Sequence, residues 1–152
     1  PLWPAYGEAI ARGDTRWAKK TLIRTVILIF LICSLSSGFL IILGKWILQV
    51  WTDSKVIYSF PLMFSLGIWT IIQTEITAFS LFLNALNKIS FQAIFALITA
   101  FFSIILRIIF AKYFDLPGIV WGSIITSIGI MLIPYIIFLS NKFRKLSDLQ
   151  IS

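Results

Sequence analysis

Four long apolar runs, separated by short polar breaks, set the pattern of this chain. Residues 22–44, 58–83, 89–111 and 117–139 each approach or exceed the ~20 apolar residues that a helix needs to cross a hydrocarbon core about 30 Å thick. The breaks are Lys45 to Lys55, Asn84 to Lys88, and Tyr113 to Gly118. Asp115 reads as an N-cap with Pro117 in the first turn after it, both favoured at a helix start. Connections this short predict antiparallel neighbours. Residues 1–21 read as helix, break, helix: Pro4 to Arg12 closes on Gly13, and Asp14 caps a second helix that begins at Thr15. Residues 140–152 form a polar tail. The expected fold is an all-α polytopic membrane helix bundle with four transmembrane helices behind an elbow.

Composition supports a lipid solvent. Hydrophobic residues make up 59% and charged residues 12%, whereas a soluble domain averages nearer 45–50% and about 25%. Fourteen Phe and six Trp argue against disorder. The net charge of +7 would suggest nucleic acid in a soluble protein, but here the cations flank the apolar runs and act as topology signals. Arg12, Arg16, Lys19, Lys20, Arg24, Lys88, Lys142, Arg144 and Lys145 fall on one side; Lys45, Lys55, Lys112 and the region of Arg107 fall on the other. The positive-inside rule makes the richer side cytoplasmic, with both ends of the chain inside the cell. Trp46, Trp51, Tyr58 and Tyr113 then lie at the outer boundary, as an aromatic belt requires.

Little catalytic chemistry is visible. The absence of His removes imidazole acid–base work and His-based metal sites, and the single Cys33 cannot form an intrachain disulfide. With no phosphate-binding glycine loop and no nucleophile elbow, the expectation is a non-enzyme without cofactor or metal. Three ionisable residues stand inside or at the edge of the spans. Glu75 lies about 12 Å into the core, beside Gln73 and Thr74, and suits either ion coupling or hydrogen-bonded packing. Arg107 lies near the outer end of the third span. It either snorkels to headgroups or lines a cavity that attracts an anion, and its height differs from that of Glu75 by about 15 Å. Arg24, at the inner end, either snorkels or serves as a cytoplasmic-gate or phosphate contact. Gly118, Gly122 and Thr126 make a stripe for close helix packing, Ser34 and Gly38 a weaker one, and Pro134 is a candidate kink.

The segment Pro1-Leu-Trp-Pro-Ala-Tyr-Gly-Glu-Ala-Ile-Ala-Arg-Gly-Asp14 resembles the cytoplasmic-loop signature of the polysaccharide exporter and O-antigen flippase family. That family sits in a superfamily with the multidrug and toxic-compound extrusion transporters. Phe82-Leu-Asn84-Ala-Leu-Asn87-Lys88-Ile-Ser90-Phe-Gln92 and Phe114-Asp115-Leu-Pro117-Gly118-Ile-Val-Trp121-Gly122-Ser123 are similar to its later junctions. Asn87 and Asp115 stand where that family often has Gly. The resemblance covers essentially the whole chain and implies the C-terminal third of a transporter of about twelve or more helices, in two pseudosymmetric bundles. The Pro at position 1, opening directly onto a motif, fits that expectation of a longer parent.

The activity implied is translocation of a lipid-diphosphate-linked oligosaccharide across the bacterial inner membrane by alternating access. Arg107 and Arg24 would meet substrate, Glu75 would couple an ion, and Glu8, Arg12, Gly13 and Asp14 would form the cytoplasmic motif. Implied partners are membrane lipid, the lipid-linked substrate, the parent's remaining helices and other polysaccharide-assembly proteins. Alternatives are an ion-coupled multidrug efflux transporter of the same superfamily, a membrane-embedded glycan polymerase or transferase, and a non-transporting assembly subunit. The short outer loops and lack of an extramembrane acidic cluster weigh against the enzyme.

Overall fold

The computed structural model describes residues 2–51 and 58–149, with side chains through Arg144. The expected outer cation Lys55, the flanking side chain of Lys145, the motif's Pro1 and the end of the tail lie outside that set. The described residues are helical and form an all-α membrane bundle. Three helical stretches, Thr15–Trp51, Phe60–Ala85 and Ile89–Arg144, are long and apolar enough to cross a membrane. We label the elbow helix Leu2–Ala11 α1, Thr15–Trp51 α2 and Phe60–Ala85 α3. The third stretch is interrupted at Asp115, whose φ of 53° and ψ of −140° are non-helical. It therefore contains two helices, α4 (89–114) and α5 (116–149), and each exceeds the ~20 residues of a span.

The two arms fold back on each other. A Cβ built on Gly122 would lie 2.8 Å from the backbone N of Arg107 and from the carbonyl C of Leu106, and one on Gly118 would strike the Phe110 carbonyl. Pairs 110/118 and 106–107/122 run in opposite directions, so α4 and α5 are an antiparallel hairpin with backbones in contact. Asp115 takes the N-cap position, but among the described residues no side-chain capping bond from it closes the turn. The reversal rests instead on its positive φ, which is costly for a residue with a Cβ. The glycines of the expected close-packing stripe thus face a neighbouring helix, and that helix is α4.

The other helix pair, α2 with α3, is also antiparallel. The Ser37 hydroxyl donates to the Gly67 carbonyl at 3.4 Å, and nearer the other end the Tyr58 hydroxyl donates to the Ile41 carbonyl at 2.8 Å. Here the expected stripe of Ser34 and Gly38 is displaced: Gly38 has nothing near the position of a Cβ, and buried Ser37 carries the contact. One residue is 100° of helix rotation, enough to move a small residue off the interface. The expected break after Gly44 is also later, because α2 remains helical to Trp51. At 37 residues α2 is about 55 Å long, well over the ~30 Å of a hydrocarbon core.

The elbow forms as its residues dictate. The Gly13 amide donates to the Ile10 carbonyl at 3.1 Å and the Asp14 amide to Ala9 at 2.9 Å, with Gly13 at φ 77°. This is the bonding of a Schellman C-cap. Asp14 Oδ1 then accepts the Trp17 amide at 3.0 Å and caps α2. The same device ends α3: Asn87 at φ 56° donates to Asn84 at 2.9 Å while Lys88 donates to Leu83 at 3.0 Å. The best-packed part of the molecule lies at the elbow end, where Tyr6, Leu22, Phe82, Leu83, Tyr135 and Leu139 are buried together. At the opposite end Trp46, Trp51 and Tyr113 are exposed, as an aromatic belt would be.

Pro134 is preceded by a π-helical segment, Ser127–Leu132, closed by the Ile133 amide donating to the Ile128 carbonyl. Proline has no N–H, and its ring crowds the carbonyl four residues back; a wider turn immediately upstream accommodates both. The irregularity in α5 therefore spreads over a turn and a half rather than forming a point kink.

Candidate functional site

The ionisable residues of the spans occupy two different environments. Arg107, on α4, faces α5. Its Nε donates to Ser123 Oγ at 2.7 Å, and the Ser123 hydroxyl donates in turn to the Ile119 carbonyl at 2.9 Å. Ser123 is buried. The bond holds the guanidinium at one point, the residue as a whole is exposed, and among the described residues no hydrogen bond is made by its terminal nitrogens. A snorkelling side chain would need no such tether. An arginine fixed at Nε instead presents its other two nitrogens in a planar fork suited to a carboxylate or phosphate.

Glu75, in the middle of α3, is 8% exposed, and neither carboxylate oxygen has a hydrogen-bond partner among the described residues. Its sequence neighbours do not supply one. The Thr74 hydroxyl donates back to the Thr70 carbonyl at 2.7 Å, and Thr77 does the same to Gln73 at 2.9 Å. Among the described residues Glu75 makes no hydrogen bond across helices. Trp69 Nε1 and Ser103 Oγ are likewise buried without a partner. The Tyr135 hydroxyl lies beside Ser80 without closing a bond of ordinary geometry.

The remaining candidates are peripheral. Arg24 is exposed on α2. Glu8 accepts from Arg12 at 3.3 Å across one helical turn, with both side chains largely exposed. Glu8, Arg12 and Asp14 line a shallow cleft with Trp17 on the elbow, while Gly13 supplies the reversal beneath it. Sequence reasoning missed Tyr6, which is buried, packs edge-on against Phe82 at 5.0 Å and donates a 3.4 Å bond to Thr25 Oγ1. Tyr6 fastens α1 onto α2 and α3. Its position inside the apolar face of α1, four residues from the helix start, was the available signal. Ser123 was missed as well; it follows Gly122 directly and is reachable from α4 only because the glycines let the backbones touch.

The structure does not join Glu75 to Arg107, in keeping with the height difference read from the sequence. Among the described residues no group of three His, Cys, Asp or Glu side chains converges on a point. Comparison with known proteins finds no matching family model, no matching curated protein and no matching solved structure.

Proposed function

We propose that this chain belongs to a transporter that moves a lipid-linked, diphosphate-bearing oligosaccharide from the cytoplasmic to the outer leaflet of a bacterial inner membrane. In this reading the four apolar runs are four crossings with both ends cytoplasmic, and further helices of a larger protein complete the bundle. The observation that carries the reading is Arg107, held by Ser123 with its terminal nitrogens free. A diphosphate and its sugars cannot cross hydrocarbon unaided, and a tethered cation at a helix pair offers a compensating contact inside the membrane. The motif resemblance at Glu8, Arg12, Gly13 and Asp14 supports the cargo class. Glu75 supplies a carboxyl that can exchange a proton or sodium ion as the transporter alternates between its two faces. No covalent chemistry is required of the protein.

A second reading, ion-coupled export of small cationic compounds, is favoured by the same unpartnered Glu75, since a buried acid can bind a cation directly. The two readings separate in proteoliposomes under an imposed membrane potential. A labelled lipid-diphosphate glycan should change leaflets, and Arg107→Ala should slow it severalfold while Arg107→Lys retains part of the rate. Drug efflux without glycan movement would overturn the first reading in favour of the second. Glu75→Gln with undiminished, potential-dependent movement would remove Glu75 from coupling.

A further inference from the structure

A groove of about 300 Å³ runs between α2 and α5 at the elbow end, floored by Phe79 of α3. Its walls are apolar, from Leu22, Ile23, Val26 and Ile27 on α2 and from Ile136 and Leu139 on α5. Ile23, Ile27 and Ile136 are about half exposed, so the groove opens sideways out of the described helices. Lys19 and Ser140 close one end. From Lys19 to Ile27 is eight residues, or about 12 Å along the helix axis. That is close to the depth of one leaflet, half of a hydrocarbon core of about 30 Å.

The polar end has a defined charge. Lys19 Nζ sits 5.8 Å from the centroid of the Phe143 ring, a cation–π contact that holds the ammonium at the mouth. The lining contains no carboxylate to neutralise it. Arg16, Lys20 and Arg24 on α2 and Lys142 on α5 stand near the same level, and neither α2 nor α5 through Arg144 carries a single Asp or Glu. A groove that is greasy along its length, cationic at its mouth and open to the bilayer complements an anionic amphiphile with one extended chain.

We propose that this groove binds one anionic phospholipid of the bilayer, with an acyl chain laid between α2 and α5 and its phosphate on Lys19. The proposal is independent of the transport reading, because it concerns the helix pair at the elbow end rather than Arg107 or Glu75. The lipid bridges α2 to α5 and anchors the elbow end of the bundle.

Native mass spectrometry of the full chain in detergent, with phosphatidylglycerol or phosphatidylcholine of matched acyl chains, tests it. One phosphatidylglycerol should be retained in preference to phosphatidylcholine. Lys19→Gln should lower its occupancy about fivefold, the effect expected of one basic contact, while Lys20→Gln, outside the groove, leaves it nearly unchanged. Ile23→Trp, which fills the groove from an exposed wall, should lower occupancy, and Ile32→Trp, similarly exposed on α2 but outside the groove, should not. Helical circular dichroism checks that each variant is folded. Equal retention of the two lipids, or equal losses for Lys19→Gln and Lys20→Gln, overturns the proposal, because the attraction is then diffuse or absent. Displacement of the phospholipid by a lower concentration of a polyprenyl phosphate also overturns it, and assigns the groove to an isoprenoid chain.

Discussion

The two antiparallel helix pairs solve the same packing problem in different ways. In α4–α5 the glycines bring backbone against backbone and Arg107 donates across the contact to Ser123, while Ser123 and Thr126 bond back within α5 to the Ile119 and Gly122 carbonyls, the latter at 2.8 Å. In α2–α3 the approach is looser. A Cβ on Gly67 would meet the Ile41 side-chain terminus at 3.1 Å and the Ser37 Cβ at 3.3 Å rather than a carbonyl, and Glu75 on the same helix is buried with nothing to bind. Without a strong hydrophobic force between helices inside lipid, close packing and satisfied hydrogen bonds are what hold a pair together. The α4–α5 hairpin therefore has the construction of a rigid unit. α3 contributes the buried carboxyl of Glu75, which has no partner among the described residues, and the hairpin contributes the exposed, tethered Arg107.

The largest expected effect tests that contrast directly. Gly122→Ala places a methyl group against backbone that cannot move without separating the helices, and should destabilise the protein by about 3 kcal/mol. Gly67→Ala has only to displace the flexible end of Ile41 and to nudge Ser37, and should cost about 1 kcal/mol. Thermal unfolding of the two variants in matched detergent measures the difference. Equal losses would mean that the two pairs are packed alike.

Glu75→Leu is next in size. Removing a buried carboxyl with no partner should raise stability by about 1 to 3 kcal/mol, since the desolvation cost disappears with the group. Ion-coupled movement in proteoliposomes should be lost with the same substitution. A drop in stability instead would show that the carboxyl contributes a structural bond, and would erase the distinction between the helix pairs.

The Arg107–Ser123 bond is measured by a double-mutant cycle. Arg107→Ala, Ser123→Ala and the double variant should give a coupling of about 1 kcal/mol in unfolding, the usual size for a hydrogen bond between membrane helices. Ser123 keeps its donation to Ile119 in the arginine variant, so the cycle isolates the one bond. Zero coupling would return Arg107 to simple snorkelling.

Much of this architecture was legible because apolar run length and capping chemistry are local. The Gly13 and Asp14 elbow and the turn between Asn84 and Lys88 depend on residues within a turn of each other and appear where the sequence puts them, whereas the first run ends later than expected, at Trp51. What was hidden depends on helix phase and on distant partners. Ser37 rather than Gly38 faces α3 because one residue turns the helix by 100°, which a small-residue pattern alone does not resolve. Ser123 meets Arg107 only after the glycine contact has set the register. The π-helical segment answers to Pro134 jointly with the packing of α5 on α3 and α4, so the proline announced an irregularity without its form. Glu75 was legible as a buried acid; that none of its neighbours binds it was not.

The smallest effect is a test of sign at the tip of the α4–α5 hairpin. Asp115 lies at φ 53° and ψ −140°, a conformation that glycine adopts freely and a residue with a Cβ does not. If the chain reverses there, Asp115→Gly relieves that strain and should stabilise the protein by about 1 kcal/mol, somewhat more than Asn87→Gly, because Asn tolerates the ordinary left-handed region well. If residues 89–144 were instead one continuous helix, glycine would weaken it by about 1 kcal/mol through the backbone freedom it adds to the unfolded chain. The two arrangements thus predict opposite signs for one substitution. Stabilisation by Asp115→Gly would place the reversal on a single residue, which in turn lets Gly118 and Gly122 face α4 and gives Arg107 its partner.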